Sequence, residues 1–515
     1  MIKNLESIIL SILLLYSVYC SLTVGASWDE FYHHKNGQNI FSYIFSLGTR
    51  EYNSANFIYH YGLYDFLSVF FTKNFSQTFI VEAHHIFNLI FSFGSLFGIY
   101  QVSKYFLNKN IGKIAFLLCF FNPVYFGHFS INPKDTIISF CYIWIFYYGM
   151  RYYKKFENLK KKKSYILILI LLLSLGLSIR LTFIFSLIPI ILILFFEFYI
   201  SDKTNKFKIL FIDILKIIFF SFIITIIFWP DTHQNLLTDP FVSIVEYFKN
   251  FLNSNFGLTH GLINGKIYEV ENTPFYYYFL LLIYKMPIYI VITFLISPLI
   301  IFFNFNKLQI KAKNIYYLIF NIFFLFLILI ILQPGINDGL RYFLYIIPFI
   351  IIISSLSLYV IFRWFNSIVK FFFVFLFIYN LLIFFILSPY QYIFINNLNG
   401  KFKNNLNMYE IDYWGISLKE LIKNLVEADI LNDKDKNYKI ATCGLNQEIV
   451  EFYLKKYSSN KFKFVSLIEN YDYIIMVNRV DTKDNIKLET CFNNHFKKEI
   501  ISVKRNDLQI SIVSN

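Results

Sequence analysis

The chain has 515 residues, of which 57% are hydrophobic and only 16% charged, with a formal net charge of +14. Together with a mean hydropathy of +0.53, this excludes an ordinary soluble globular protein and points to a polytopic membrane protein. The excess of Lys and Arg does not signal nucleic-acid binding, because it is scattered through short loops between apolar runs, where it orients helices in a bilayer.

The first apolar run, 7–25, has about the ~20 residues needed to cross a membrane. Val24-Gly25-Ala26 is an acceptable cleavage site, but the length of the run favours an uncleaved anchor. Ala26-Ser27-Trp28-Asp29-Glu30 follows directly and sets two adjacent carboxylates where the helix leaves the bilayer. About eleven spans are predicted by hydropathy: 7–25, 78–103, 111–127, 136–152, 164–179, 181–200, 209–229, 276–303, 314–333, 342–361 and 368–388. Lys104, Lys109, Lys113, Arg151, Lys160 to Lys163, Lys203, Lys307, Lys311, Arg363 and Lys370 fall in alternate loops, which the positive-inside rule assigns to the cytoplasm. The other loops hold Trp28-Asp29-Glu30, Asn132-Pro133-Lys134-Asp135, Trp229-Pro230-Asp231 and Asn337-Asp338-Gly339-Leu340-Arg341, so these acidic motifs share the outer face.

Two outer loops are long. In the first, the aromatic stretch Phe57 to Phe71, with His60 and Asp65, is expected to be an amphipathic helix in the interface. The second, 230–275, with Gly257, Gly261 and Gly265, is expected to be a mobile loop over a site. The composition turns polar from about Pro389, dividing the chain into a membrane region, 1–395, and a small extracytoplasmic α/β domain, 396–515. Within the latter, Tyr438 to Thr442 and Tyr473 to Val477 read as strands, Asn446 to Lys456 as a helix and Ile500 to Val513 as a hairpin. Cys443 and Cys491 in this region are free to pair if it lies outside the cell, whereas Cys20, Cys119 and Cys141 sit in apolar runs.

A carboxylate pair at a helix exit suits the activation of an incoming hydroxyl, and desolvation there is expected to raise the pKa of Asp29 and strengthen it as a base. The plainer alternative is that Asp29 and Glu30 only cap a juxtamembrane helix beginning at Phe31. Asp135 either serves the same site or favours the N-terminal end of the next helix. Arg180, squeezed between two apolar runs, and Arg341, behind Asp338, are suited to gripping phosphate oxygens, against the alternative of snorkelling at helix ends. His33 and His34 beside the acidic pair match no strong metal spacing. No internal repeat is visible, which counts against transporter folds built from paired halves.

Trp28-Asp29-Glu30, Ile131-Asn132-Pro133-Lys134-Asp135, Asn337-Asp338-Gly339-Leu340-Arg341-Tyr342-Phe343 with Pro348, and Glu410-Ile411-Asp412-Tyr413-Trp414-Gly415 resemble, in order and sidedness, bacterial GT-C glycosyltransferases. The chain is similar to protein O-mannosyltransferases and to the aminoarabinose transferases that modify lipid A. The resemblance implies an enzyme of the cytoplasmic membrane with its site outside. It implies inverting transfer of a sugar from a polyprenyl-phosphate donor to a hydroxyl of a glycan, lipid or protein. It assigns Asp29, Glu30 and Asp135 to catalysis, and Arg180 and Arg341 to the donor phosphate. Lys134, Asp338 and His60 are further candidates for substrate binding. Tyr342 stands where many relatives have His. No cofactor is expected, though a divalent cation is compatible. A flippase of lipid-linked sugars and an O-antigen polymerase or ligase are the alternatives.

Overall fold

A computed structural model describes residues 2–50, 52, 62–201, 206–252, 259–332, 338–400, 406–431, 436–480 and 488–515. Among the described residues, seven single helices are long and apolar enough to cross a membrane: Leu5–Thr23, Gln77–Phe106, Phe183–Ile200, Phe207–Ile227, Ala312–Ile331, Ile347–Trp364 and Ser367–Ile386. An eighth candidate is the pair Ile288–Leu295 and Ser297–Leu308, bent by 63°. The remaining predicted segments are helical but shorter or more polar: Lys109–Phe120 with Pro123–Gly127, Asp135–Lys154 and Leu159–Leu177. The chain is therefore a multi-pass helical membrane protein with a small sheet-containing region at its C-terminal end.

Asparagine side chains start several of these helices by accepting an otherwise unpaired N–H. Asn108 accepts from Ile111 N, Asn122 from Tyr125 N, Asn158 from Lys161 N and Asn366 from Val369 N. Ile347–Trp364 runs through the middle of the bundle, with Phe349, Ile351, Ile352 and Ile353 inaccessible. Ser367–Ile386 and Phe207–Ile227 lie at its edge, with Ile368, Phe371, Phe375 and Phe219 bare. Such bare apolar stripes are what a lipid solvent requires of its boundary helices.

The expected helix at 57–71 is present as Leu63–Thr72; its first residues, His60 among them, lie outside the described residues. The second long loop departs from expectation. It carries the helix Asp239–Leu252, with Phe241, Val242 and Val245 exposed and Tyr247 buried, and a hairpin of β1 (His260–Ile263) and β2 (Lys266–Glu269). The apolar residues of that helix recur at helical spacing, a pattern masked in the sequence by the flanking glycines.

The C-terminal region forms a five-stranded mixed sheet of β3 (Asn437–Cys443), β4 (Lys461–Phe464), β5 (Tyr473–Val477), β6 (Glu499–Arg505) and β7 (Leu508–Ser514), in the order β4-β3-β5-β7-β6. β3 pairs parallel with β4 and β5, and β7 pairs antiparallel with β5 and β6. Helices Leu418–Glu427 and Gln447–Tyr457 accompany it. Cys443, at the end of β3, and Cys491 form a disulfide. Cys491 N also donates to Arg479 O at 2.8 Å, so the bridge lies behind the segment that leaves β5. Closing a loop over a sequence separation of 48 stabilises by about 4 kcal/mol in the chain-entropy model. Replacing both cysteines by alanine is expected to lower the thermal midpoint measurably in oxidising buffer, and reduction of the wild-type protein should reproduce that drop.

This region is bolted to the exit of the first helix. Gly25 N donates to Ile416 O at 2.8 Å and Ala26 N to Tyr453 Oη at 2.7 Å. A Cβ on Gly25 would lie 2.8 Å from that same carbonyl, so the backbones touch only because residue 25 is glycine. Glu82, near the start of Gln77–Phe106, accepts from Lys419 at 2.9 Å and Lys456 at 3.0 Å. The sheet region thus fixes the backbone that carries Trp28 and Asp29.

Candidate active site

The short segment after the first helix divides labour between its two carboxylates. Glu30, the first residue of the helix Glu30–Phe45, turns back and accepts from Ser27 N at 2.5 Å, closing the turn before the helix, and its other oxygen meets His85 Nε2 at 2.9 Å. His85 is inaccessible, and its Nδ1–H donates to Ser21 O at 2.8 Å. Asp29 occupies the N-cap position without a side-chain cap bond. Its carboxylate reaches instead to Lys134 Nζ, at 3.0 Å. The capping alternative therefore holds for neither side chain: Glu30 bonds the turn before the helix, and Asp29, at the N-cap position, bonds Lys134.

Asn132 builds the next wall. Its Oδ1 accepts from Lys134 N at 3.1 Å and Asp135 N at 2.8 Å, and its Nδ2 donates to Asp135 Oδ2 at 3.0 Å. This turn aims Lys134 at Asp29 and leaves Asp135 Oδ1 for Arg180 Nη2, at 2.7 Å. Arg180 is a paired group here and only a quarter exposed, at 26% of its side-chain area, so it does not simply snorkel.

Arg341 and Arg180 share an aromatic partner. Their guanidinium carbons lie 4.6 Å and 4.7 Å from the ring centre of Tyr342, and Arg341 Nη2 donates to Tyr342 Oη at 2.8 Å. The tyrosine thus organises two cations by cation–π contact, a task a histidine would perform poorly once protonated. Arg341 also lies 5.6 Å from the Trp414 ring. Asp338, in the left-handed region at φ +57°, accepts from Arg341 at 3.2 Å and from Arg479 at 2.8 Å.

Arg479 comes from the C-terminal region, just beyond β5. Its Nη1 donates to Tyr413 O at 2.7 Å, its Nε lies 3.7 Å from Glu410, and its guanidinium sits 5.3 Å from the Trp28 ring. The motif Glu410 to Gly415 is shaped from within: Asp412 accepts from Ile416 N at 3.0 Å, Ser417 N at 3.1 Å and Tyr392 Oη. Gly415, at φ +68°, allows the turn that presents Tyr413 and Trp414. Tyr413 Oη lies 3.1 Å from His128 Nε2.

The electrostatics follow from this packing. Burial alone would push Asp29 up, but Lys134, Arg341 and His33 outweigh it and hold the carboxyl well below the ordinary aspartate value. The expectation of a raised pKa is thereby corrected: desolvation is real, yet three cationic or protonatable groups face the same carboxylate. Burial pushes His128 down to about 3, with Lys285 and Arg341 adding to it, so the ring is neutral. Burial pushes Glu410 up against the opposing pull of Arg479.

Nearby, Asp65 accepts from His33 at 2.7 Å and Asn36 at 2.6 Å, tying the helix after Asp29 to Leu63–Thr72. His34 Nδ1 lies 2.9 Å from His84 Nε2. Asp231, just beyond Phe207–Ile227, is pushed up from 3.8 to about 6 by burial, with His233 opposing. A raised carboxyl adds stability that is complete below its unfolded value and is lost as pH rises through its folded value. Asp231→Asn is therefore expected to raise the thermal midpoint at pH 7.5 and to leave it unchanged at pH 3.5.

The structure brings Asp29, Lys134, Asp135, Arg180, Asp338 and Arg341 together at one end of the bundle, with Glu30 behind them. Sequence reasoning missed Arg479 and Lys285. The first is one charge in a polar stretch, and no pattern distinguishes it. The second had a signal: it is a lone lysine inside the apolar run 276–303.

This helical architecture, with a charged basin at one end beneath a small mixed sheet, is shared with solved membrane proteins. ArnT from Cupriavidus metallidurans bound to undecaprenyl phosphate is similar over 100% of this chain and 98% of its own, with a TM-score of 0.56 and 8% identity. Its apo form gives 0.54 at the same coverage and identity. An oligosaccharyltransferase from Archaeoglobus fulgidus matches 91% of this chain and 69% of its own at a TM-score of 0.45 and 11% identity. No family model and no curated protein sequence matches the chain.

Proposed function

We propose that the protein is an inverting glycosyltransferase of the cytoplasmic membrane. It moves a sugar from a polyprenyl-phosphate donor to an acceptor hydroxyl at the outer face. The observation that carries this reading is the Asp29–Lys134 and Asp135–Arg180 pairing beside Arg341, two carboxylates and three cations at one bundle end. ArnT, which shares the fold, binds undecaprenyl phosphate. The loops of the basin face outward by the positive-inside distribution of Lys and Arg.

In this mechanism the acceptor oxygen attacks the anomeric carbon from the side opposite the phosphate. The bond between that carbon and the phosphate oxygen breaks, and the polyprenyl phosphate leaves with the electron pair. Asp29 takes the acceptor's proton. Arg180 and Arg341 neutralise the charge that grows on the phosphate. Glu30 and Asp135 act as positioning residues, the first through the Ser27 turn and the second through Arg180. The acceptor is a glycan, a lipid or a protein, and divalent-cation dependence is open to direct test by chelation.

Purified protein incubated with a panel of polyprenyl-phosphate sugars should release free polyprenyl phosphate, detected by mass spectrometry, in the presence of one acceptor class. Absence of release from every donor across glycan, lipid and peptide acceptors would overturn the proposal.

A further inference from the structure

The charged groups of the basin are almost all spoken for. Lys134 has Asp29, Arg180 has Asp135, and Arg341 and Arg479 share Asp338. Lys285 is different. It ends the helix Tyr277–Lys285 and is 2% exposed. Among the described residues, no carboxylate or hydrogen-bond acceptor reaches its ammonium. Glu410 acts on it only from beyond ion-pair distance and is already engaged by Arg479 and by Val480 N, the latter at 3.1 Å. The neighbours of Lys285 are the Tyr413 ring, 5.8 Å away, and the backbone of Gly339, whose Cβ position would be 3.6 Å from Nζ.

A buried, unpaired ammonium is a net cost to the fold. A chain that keeps one within a basin of paired charges has an anion still to receive. The setting indicates which kind. Leu281 and Tyr278 are buried on the same helix, while Phe279 and Ile283 are exposed on its outer side. Pro287 and the bent pair Ile288–Leu308 continue from it, with Leu295, Leu299 and Phe302 bare. Lys285 thus lies between a surface built for lipid and the groups Tyr413, His128 and Arg341. An anion carried on a hydrocarbon chain reaches it from that side, with its tail left on the apolar surface.

We propose that Lys285 is a further catalytic residue, which binds a non-bridging oxygen of the lipid-linked phosphate and holds it as the leaving group departs. This rests on the glycosyltransferase reading and adds to it the group that receives the phosphate from the lipid side. No proton transfer is involved: the ammonium donates hydrogen bonds to an oxygen whose negative charge increases as the bond to the anomeric carbon breaks.

The test compares wild type with Lys285→Met and Lys285→Arg for binding of undecaprenyl phosphate in detergent. Undecaprenol, phosphatidylglycerol vesicles and inorganic phosphate serve as parallel probes. The expected result is that Lys285→Met weakens undecaprenyl phosphate binding by about 30-fold or more and lowers turnover on the order of 10²-fold, as for loss of one charge-stabilising donor. Lys285→Arg should retain part of both, and undecaprenol should not distinguish the variants. Without lipid, Lys285→Met should be at least as heat-stable as wild type, because it removes an unpaired buried charge. A less stable lipid-free variant would mean that the lysine has a structural partner, which overturns the proposal. Equal binding of undecaprenyl phosphate by wild type and Lys285→Met would overturn the role of Lys285 while leaving the glycosyltransferase reading standing. Tighter binding of inorganic phosphate or phosphatidylglycerol than of undecaprenyl phosphate would assign the lysine to another anion and overturn it. Wild type that binds no polyprenyl phosphate at all would remove both.

Discussion

Asp29→Asn is expected to lower sugar transfer on the order of 10²–10⁴-fold, the usual contribution of a positioned general base, with insertion and folding retained. Asparagine keeps the shape of aspartate and still offers an oxygen to Lys134, which lies 3.0 Å from the native carboxylate, so the turn at Trp28 should survive. What is lost is the ability to accept a proton. Because Lys134, Arg341 and His33 hold Asp29 low despite its burial, the carboxylate stays ionised throughout the neutral range. Wild-type rates should accordingly show no acid limb from this group between about pH 5 and 8.

Lys134→Met sharpens the test. Without the facing ammonium, burial is opposed only by Arg341 and His33, so Asp29 moves upward and its acid limb should shift toward the measurable range. The sign for stability runs the other way. A depressed carboxyl contributes stability that is present above its unfolded value and is lost as pH falls through its folded value. The pair therefore supports the fold at pH 7, and Lys134→Met should lower the thermal midpoint there. Wild-type turnover by Asp29→Asn would remove Asp29 as base, and an unchanged pH profile in Lys134→Met would remove the pairing as its cause.

Much of this arrangement is legible in the sequence. Apolar runs locate membrane helices because a bilayer leaves the backbone no other way to satisfy its hydrogen bonds. Charge asymmetry between loops then sorted Asp29, Asp135, Arg180, Asp338 and Arg341 to one end, where they do meet. The strands at 473–477 and 500–513 were visible through their apolar and β-branched residues. Three features were not. The division between Asp29 and Glu30 depends on which carboxylate turns back to Ser27, and adjacent acids look alike in sequence. The low position of Asp29 depends on Lys134, 105 residues away along the chain. Arg479 enters the site only because the sheet region docks through Gly25, Ala26 and Glu82, contacts that span some 340 to 430 residues in sequence and follow no local pattern.

That docking leads to the second large effect. Asp338, Arg341 and Arg479 form a buried triad, exposed by 3%, 8% and 5%, in which one carboxylate answers two guanidiniums. Removing a single partner from such a set leaves charge unpaired in a poorly solvated place, at about 3–5 kcal/mol. Asp338→Ala should cost about that much, since it removes the carboxylate that both guanidiniums share, leaving Arg479 with Glu410 and Arg341 with Tyr342, and places alanine at φ +57°. Asp338→Asn, which tolerates the left-handed conformation and keeps an acceptor, should fall between alanine and wild type. Arg479→Met leaves the Asp338–Arg341 contact in place and should be milder than Asp338→Ala. The double variant Asp338→Ala, Arg479→Met should be more stable than the sum of the two singles, because both changes remove the same Asp338–Arg479 bond and its loss counts only once. Thermal midpoints in detergent for the four proteins measure this coupling. Additive losses would mean that Asp338 and Arg479 stabilise the protein independently, and the sheet region would then not be locked to the basin through this carboxylate.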